Sequence, residues 1–389
     1  MLKTILYFIL KYACRQGGKG NNLNFSDGNL QRMFRCVKIP DESVRGTSAR
    51  RRTGGFPEEV YGKGYLMTEL ARAKINLYLD VTEKRADGYH EIVSVMQSVS
   101  LADIVTLERA DELTVFCDHP AVPGGKENLA FRAAEAFFRE TGMAGGAAIR
   151  IEKRIPVAAG LAGGSADAAA VLRGLNRLYG TELPDAVLCG IGKTLGADIP
   201  FCICGGTALT RGIGEKLFSL PSPGKCFFVI AKGETGISTA AAYAALDQKY
   251  NHFCAVPGAG IHDGFQCENR RVDGKSVSCG KCNENNPGIS RCGRLSGMEA
   301  ALQTGDSETV FRNMFNIFEE VVPSECEEVF AIRNELLDAG AVSAMMSGSG
   351  PAVFGVFREE SLAVRARDRL RAAGIFAETC VPEAAKPNQ

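Results

Sequence analysis

The segment Pro156-Val-Ala-Ala-Gly160-Leu161-Ala162-Gly163-Gly164-Ser165-Ala166-Asp167-Ala-Ala-Ala joins a strand-like run at 148–151 to a long amphipathic helix. Glycine has no Cβ, so Gly160, Gly163 and Gly164 let successive backbone N–H groups approach an anion. The helix behind them, read as opening with Ser165 at its cap, presents unpaired donors and the positive end of its dipole to the same point. Its apolar stripe of Ala168, Val171, Leu172, Leu175, Leu178 and Tyr179, closed by Gly180, specifies it well. Strand, glycines, cap and helix in that order predict a phosphate cradle rather than a small-residue packing loop. Gly164 stands where a Walker A loop carries its lysine, and no G-x-G-x-x-G spacing opens the helix. The cradle is therefore of a third kind.

A chain of 389 residues, 45% hydrophobic and 23% charged, can bury a sizeable core, and two domains are expected. Lysine plus arginine (45) balances aspartate plus glutamate (45), so no global charge draws it to nucleic acid or an anionic membrane. The apolar stretch 5–10 is closed by Lys11, and no transmembrane helix is expected. Fourteen cysteines are too dilute for a disulfide scaffold, and the seven spread through the body point to a reducing, cytoplasmic setting.

Residues 1–66 carry Gly17-Gly18, Arg50-Arg51-Arg52 and Gly54-Gly55 without a sustained apolar period. They read as a disordered leader or a start placed too early, with Met67 just before the first strand. Alternate apolar positions over 75–81 predict a strand with one buried face, followed by strands at 92–99 and 104–107 and a helix over 127–140. The mixed order is α+β. Asp185 is placed as the cap of a helix ending at Gly196, which leaves a short, fixed loop before Pro200. Beyond Pro223 the pattern spells β-α-β-β-α-β, a ferredoxin-like unit of strand 227–231, helix 324–339, strands 342–346 and 352–357, helix 359–373 and strand 375–381. The expected divisions are a first domain at 67–222, a second at 223–382 and a tail at 383–389. Residues 251–294 interrupt the second domain with seven glycines, five cysteines and five asparagines, an insertion loop without period. Cys279-Gly-Lys-Cys282 has zinc-ligand spacing, but a structural site needs a second such pair, so no metal is expected.

Ala73-Lys74-Ile75-Asn76-Leu77, the glycine loop 160–169 and Ser347-Gly348-Ser349-Gly350-Pro351 follow one another as do the three motifs of the GHMP kinase superfamily, which the chain resembles. Arg85-Ala86-Asp87-Gly88-Tyr89-His90-Glu91 and Leu195-Gly196-Ala197-Asp198-Ile199-Pro200 are similar to its branch acting on a cytidyl substrate. The resemblance spans 68–382 without the insertion. It implies a two-domain GHMP kinase fold, with a ribosomal protein S5 domain 2-like N-terminal domain and a ferredoxin-like C-terminal domain. The implied activity is ATP-dependent phosphorylation of the 2-hydroxyl of 4-diphosphocytidyl-2-C-methyl-D-erythritol in the non-mevalonate isoprenoid pathway. A monomer or weak homodimer is expected, with no nucleic-acid or membrane partner. A kinase for homoserine, mevalonate or a sugar would have no use for the Asp-Gly-Tyr-His segment. A non-catalytic sensor on the same fold would not need Lys74 and Asp198.

By the same resemblance, Asp198 is the general base and Lys74 lowers the pKa of the substrate hydroxyl and steadies Asp198. Seen singly, the two would be a loop-capping aspartate and a strand-edge lysine. His90 is implied to read the cytosine edge, for which a neutral imidazole with one donor and one acceptor is suited. Tyr89 is implied to stack or form a wall, with Asn76, Thr239 and Tyr243 as further substrate contacts. ATP is implied to rest on Pro156, Ala158, Gly160, Leu161, Ala162, Gly163, Gly164, Ser165 and Ala166, with its adenine near Asn128 and Leu129. Magnesium is carried mainly by the phosphates, with Ser165 as its protein contact. The loop 347–350 is expected to close over the site beside the first glycine loop.

Overall fold

The computed structural model describes residues 66–250, 270–272, 275–277 and 291–385. The leader before residue 66 and the Cys279–Cys282 pair lie outside the described residues. The first sheet grows from a long antiparallel hairpin, β1 (Met67–Lys84) and β2 (His90–Ala110). The apolar alternation read over 75–81 does not keep to one face. The pairing with β2 slips between Asn76 and Tyr78, a bulge that reverses the parity of the residues beyond it. Ile75 and Leu77 therefore join one apolar core while Leu79 and Val81 join another. Both faces of the strand are buried there, and Lys74 and Asn76 share the cleft face with Leu79.

The edge of this sheet is made by β3 (Thr114–Cys117), parallel to β4 (Gly146–Glu152), while β4 pairs antiparallel with β2. Between them runs α1 (Leu129–Thr141), capped by Asn128 and stopped by Gly142 in a left-handed conformation. The helix after the glycine loop, α2 (Gly163–Leu178), buries Ala168, Ala169 and Ala170 against the sheet. At Gly174 a Cβ would come 2.5 Å from Leu107, so α2 sits as close to the sheet as side chains allow. The short helices α3 (Asp185–Lys193) and α4 (Ile199–Cys204) follow, then β5 (Thr207–Arg211) and β6 (Lys216–Leu220), which extend the sheet from β2. Asp185 is the first residue of α3 rather than its cap, a place taken by Pro184, whose fixed φ suits the extended backbone there.

The second sheet has the order β11-β12-β7-β13 and is antiparallel throughout. Its strands are β7 (Phe227–Lys232), β11 (Ser343–Met346), β12 (Val353–Phe357) and β13 (Phe376–Cys380), with α8 (Glu328–Asp338) and α9 (Glu360–Ala372) supplying apolar residues to its core. This is the ferredoxin-like order. Inserted after β7 are α5 (Thr239–Lys249), the small hairpin β8 (Arg270–Val272) and β9 (Lys275–Val277), α6 (Arg291–Thr304), α7 (Ser307–Arg312) and β10 (Phe315–Asn316). Helix α6 starts three residues before the expected end of the insertion loop.

The two sheets share chain. Strand β10, from the second half, pairs parallel with β1, and Glu383 N donates to Ser98 O at 2.8 Å, bringing the C-terminal segment back to β2. The segment read as a tail from 383 is thus, through Ala385, part of the first sheet's border. This interlocking places the glycine loop of one half beside the 347–350 loop of the other.

Candidate active site

A cleft of about 610 Å³ opens where the loops meet, in the size range of small-molecule sites. Its floor is the glycine loop. Ala158, Gly160 and Ala162 have φ of 52°, 77° and 58°, all in the left-handed region. Two alanines held there cost about 1–3 kcal/mol each, a strain that recurs where a backbone must be aimed. Helix α2 opens at Gly163 with Ala162 in the cap position and no side-chain cap, so Ser165 is the third helical residue and not the cap. The first-turn N–H groups of Gly163, Gly164 and Ser165 have no acceptor within the helix and border the cleft.

The second small-residue loop meets the first backbone to backbone. A Cβ on Gly160 would lie 2.2 Å from Ser347 O, and one on Gly348 would lie 2.9 Å from Gly160 O. Ala352 N donates to Ala159 O at 3.2 Å and Ser347 Oγ to Gly160 O at 3.2 Å. Gly348 and Ser349 border the cleft, as expected of a loop lying beside the cradle.

From β1, Lys74 Nζ donates to Asn76 Oδ1 at 2.7 Å and to Gly160 O at 2.9 Å. Asn76 Nδ2 in turn donates to Ser94 Oγ at 2.8 Å, and Ser94 Oγ to Tyr78 O at 2.6 Å. The ammonium is fixed by this relay on the cleft wall. Asp198 borders the same cleft from the N-cap position of α4, and its carboxylate makes no cap bond. Among the described residues no ion pair joins Lys74 to Asp198, and the acceptors that hold the ammonium are Asn76 Oδ1 and Gly160 O.

From the second half, α5 presents Thr239 and Tyr243 to the same cleft. Thr239 Oγ1 lies 2.9 Å from Ser349 Oγ. Burial, with a contribution from the charge of Asp198, pushes the Tyr243 phenol up to about 12, so it stays neutral. Its ring stacks on His90 at 4.6 Å between centroids and meets Phe318 edge-on at 4.9 Å. His90 Nε2 is 2.7 Å from Asp247 Oδ1, and Lys84 Nζ is 2.5 Å from Asp247 Oδ2. Burial alone would raise the Asp247 carboxyl, but the bonds from Lys84 and His90 outweigh it and hold the group below its ordinary range.

A buried charge cluster flanks the loop, and two of its members, Lys153 and Asp167, also border the cleft. Lys153 Nζ is 2.5 Å from Asp103 Oδ2 and 2.8 Å from Asp167 Oδ2. Burial, reinforced by Asp103 and opposed by Lys153, pushes Asp167 up to about 8.

The GHMP kinases N terminal domain family matches residues 128–206, and the GHMP kinases C terminal family matches 298–375. A 4-diphosphocytidyl-2-C-methyl-D-erythritol kinase of Acetivibrio thermocellus is 41% identical over 302 residues, covering 77% of this chain and 93% of its own length. That of Acaryochloris marina is 42% identical over 306 residues, covering 78% and 91%. The chain belongs to the 4-diphosphocytidyl-2-C-methyl-D-erythritol kinase family of GHMP kinases. Members of this family are ATP-dependent small-molecule kinases, and so is this chain. A crystal structure of 4-(cytidine 5'-diphospho)-2C-methyl-D-erythritol kinase superposes with a TM-score of 0.60 at 31% identity, over 82% of this chain and 100% of that one. A homoserine kinase from Cytophaga hutchinsonii, at 18% identity and a TM-score of 0.58, shares the fold.

Set against the site residues that the family resemblance implied, the geometry gathers most but not all of them. Lys74, Asp198, Asn76, Thr239 and Tyr243 border the cleft, as do Pro156, Ala158, Gly160, Leu161, Ala162, Gly163, Gly164, Ser165, Asn128 and Leu129. Ala166 turns into the core, 1% exposed. Asn128 spends its amide as a helix cap, accepting from Ala130 N at 2.8 Å and donating to Pro123 O at 2.8 Å. Tyr89 is 61% exposed outside the cleft, in the turn before β2, and His90, where that strand begins, is buried against Tyr243 and Asp247 and is not among the residues that border the cleft. The ring stacked on His90 is that of Tyr243 instead. Asp247, Lys153 and Asp103 were not foreseen. Asp247 follows Thr239 and Tyr243 at four-residue spacing on one helix face, a signal present in the sequence. Among the described residues no helix is long and apolar enough to cross a membrane.

Proposed function

We propose that this kinase transfers the γ-phosphoryl group of ATP to the 2-hydroxyl of 4-diphosphocytidyl-2-C-methyl-D-erythritol. The reading is carried by one juxtaposition: a fixed ammonium, Lys74, and an uncapped carboxylate, Asp198, border one cleft with the glycine loop. Phosphoryl transfer asks chiefly for positioning and for positive charge at the transferred group. The N–H groups of Gly163, Gly164 and Ser165 receive the phosphates, and the strained loop keeps them aimed. Asp198 accepts the proton of the attacking hydroxyl as the new O–P bond forms and the bond to the leaving diphosphate oxygen breaks. Lys74 faces the charge that develops on the transferred group. Magnesium, which keeps several waters and takes few protein oxygens, would be held by the phosphates and the Ser165 hydroxyl, neutralising phosphate charge. On α5, Tyr243 and Thr239, with His90 behind Tyr243, suit a flat polar base with a hydrogen-bonding edge.

The deciding experiment is ADP release by the full chain with magnesium and ATP, offered 4-diphosphocytidyl-2-C-methyl-D-erythritol, homoserine, mevalonate or galactose. Release with the cytidyl compound alone is the expected result. Release with another acceptor would discard the base-reading role of His90, and no release from a folded, ATP-binding chain would discard the kinase.

A further inference from the structure

The glycine loop is joined at its two ends by buried charges. Lys153 is the first residue after β4, and Asp167 lies in the second turn of α2, so the pair flanks the whole cradle. Asp103, on the adjoining β2, completes the set. Its Oδ2 receives Lys153, while its Oδ1 accepts from the backbone N–H groups of Arg154 at 2.5 Å and Ile155 at 2.7 Å. One carboxylate thus holds both the lysine and the backbone leading into the loop. Asp103 is 0% exposed and Asp167 3% exposed. Lys153 also lies under the start of α2, since a Cβ on Gly163 would come 3.4 Å from its ammonium.

Such a cluster is a poor way to gain stability. Each buried ion costs several kcal/mol of desolvation, and apolar residues of similar volume often do as well or better. Asp167 Oδ1 is buried with no hydrogen-bond partner among the described residues, a further cost of about 1–3 kcal/mol. What the cluster supplies that apolar residues would not is direction: one fixed bond ties residue 153 to residue 167, and three tie β2 to the loop's entry. The N–H groups of Gly163, Gly164 and Ser165 stand between those anchors.

We propose that Lys153, Asp103 and Asp167 are positioning residues, a clasp that closes the ends of the glycine loop on each other and fixes its N–H array for a nucleoside triphosphate. This rests on the reading of the cleft as an ATP site.

The test is the triple variant Lys153→Met, Asp103→Asn and Asp167→Leu, which leaves no buried charge in the cluster, keeps an Oδ1 for the N–H groups of Arg154 and Ile155, and should fold. Calorimetric titration with ATP and magnesium is run beside titration with the cytidyl acceptor, and amide exchange of the peptide spanning 154–166 is followed in the free proteins. Expected are a cooperative unfolding transition, ATP affinity weakened about tenfold or more, unchanged acceptor affinity, and faster exchange across the loop. Asp167→Asn, which keeps an oxygen for Lys153, should restore ATP affinity to within about threefold. ATP affinity within about twofold of the unmodified chain in the triple variant, or equal losses for both ligands, would overturn the clasp. Exchange is read without ligand, so a chain that binds no ATP at all defeats the ATP reading and leaves the clasp to be judged by loop exchange.

Discussion

Lys74 Nζ sits 2.9 Å from the carbonyl oxygen of Gly160, so the cation of β1 is bound to the backbone of the phosphate loop itself. The same Gly160 carbonyl accepts from Ser347 Oγ, and one oxygen therefore ties strand, loop and second loop together. Lys74→Met should cost kcat about 10²–10³-fold, the scale of losing one preorganised charge at a transition state. It should also weaken ATP, because the Gly160 carbonyl loses a donor. Lys74→Arg should not restore the rate, since a planar guanidinium cannot occupy the ammonium's position between Asn76 Oδ1 and Gly160 O. Steady-state rates and ATP titrations of the two variants separate these effects.

Asp198 is held at the head of α4 without serving as its cap, which leaves its carboxylate available to the cleft. Asp198→Asn preserves size and removes the base. Turnover should fall about 10²–10⁴-fold while ATP affinity stays near that of the unmodified chain. An Asn variant that turns over at the ordinary rate would remove Asp198 from proton transfer. Single-turnover measurement with labelled ATP reads the chemical step directly.

The two loop glycines differ in what they tolerate. A Cβ at Gly160 would sit 2.2 Å from backbone oxygen at a φ of +77°, whereas nothing lies within 4 Å of one at Gly164. Gly160→Ala should lower stability by about 2–3 kcal/mol, since backbone must move and the left-handed conformation is retained only at a cost. Gly164→Ala should leave the unfolding midpoint unchanged within error, whatever it does to ATP. Thermal melts of the two side by side check the contrast.

Much of this site can be read from sequence because its parts are local. The glycine loop, the helix behind it and the Gly196–Pro200 turn are each specified within a few residues, and the structure assembles them as the order implied. What sequence reading misplaced depends on distant partners or on parity. The bulge beyond Asn76 arises from pairing with β2, so alternation within β1 alone could not reveal that the two ends of 75–81 serve different cores. Ser165 looks like a cap by type, yet Gly163 and Gly164 continue the helix backward and leave the cap position to Ala162. Lys153 and Asp103 meet across 50 residues of chain, and no local period marks such a pair.

Asp247 offers the remaining prediction, through its bonds to His90 and Lys84. With the carboxylate gone, His90 loses the group that orients its ring against Tyr243. Asp247→Ala should raise KM for the cytidyl acceptor about tenfold, the scale of one hydrogen bond to a charged group, and spare KM for ATP. The same carboxyl predicts an acid limb. Its ordinary value is 3.8, and the bonds from Lys84 and His90 hold it lower in the folded chain. A depressed carboxyl adds stability that is fully present above the unfolded value and is lost as pH falls through the folded one. The unmodified chain should therefore lose stability more steeply than Asp247→Asn as pH drops below about 4. Denaturant melts at stepped pH measure the difference, and parallel curves down to the lowest pH would show that Asp247 gains nothing from its two partners.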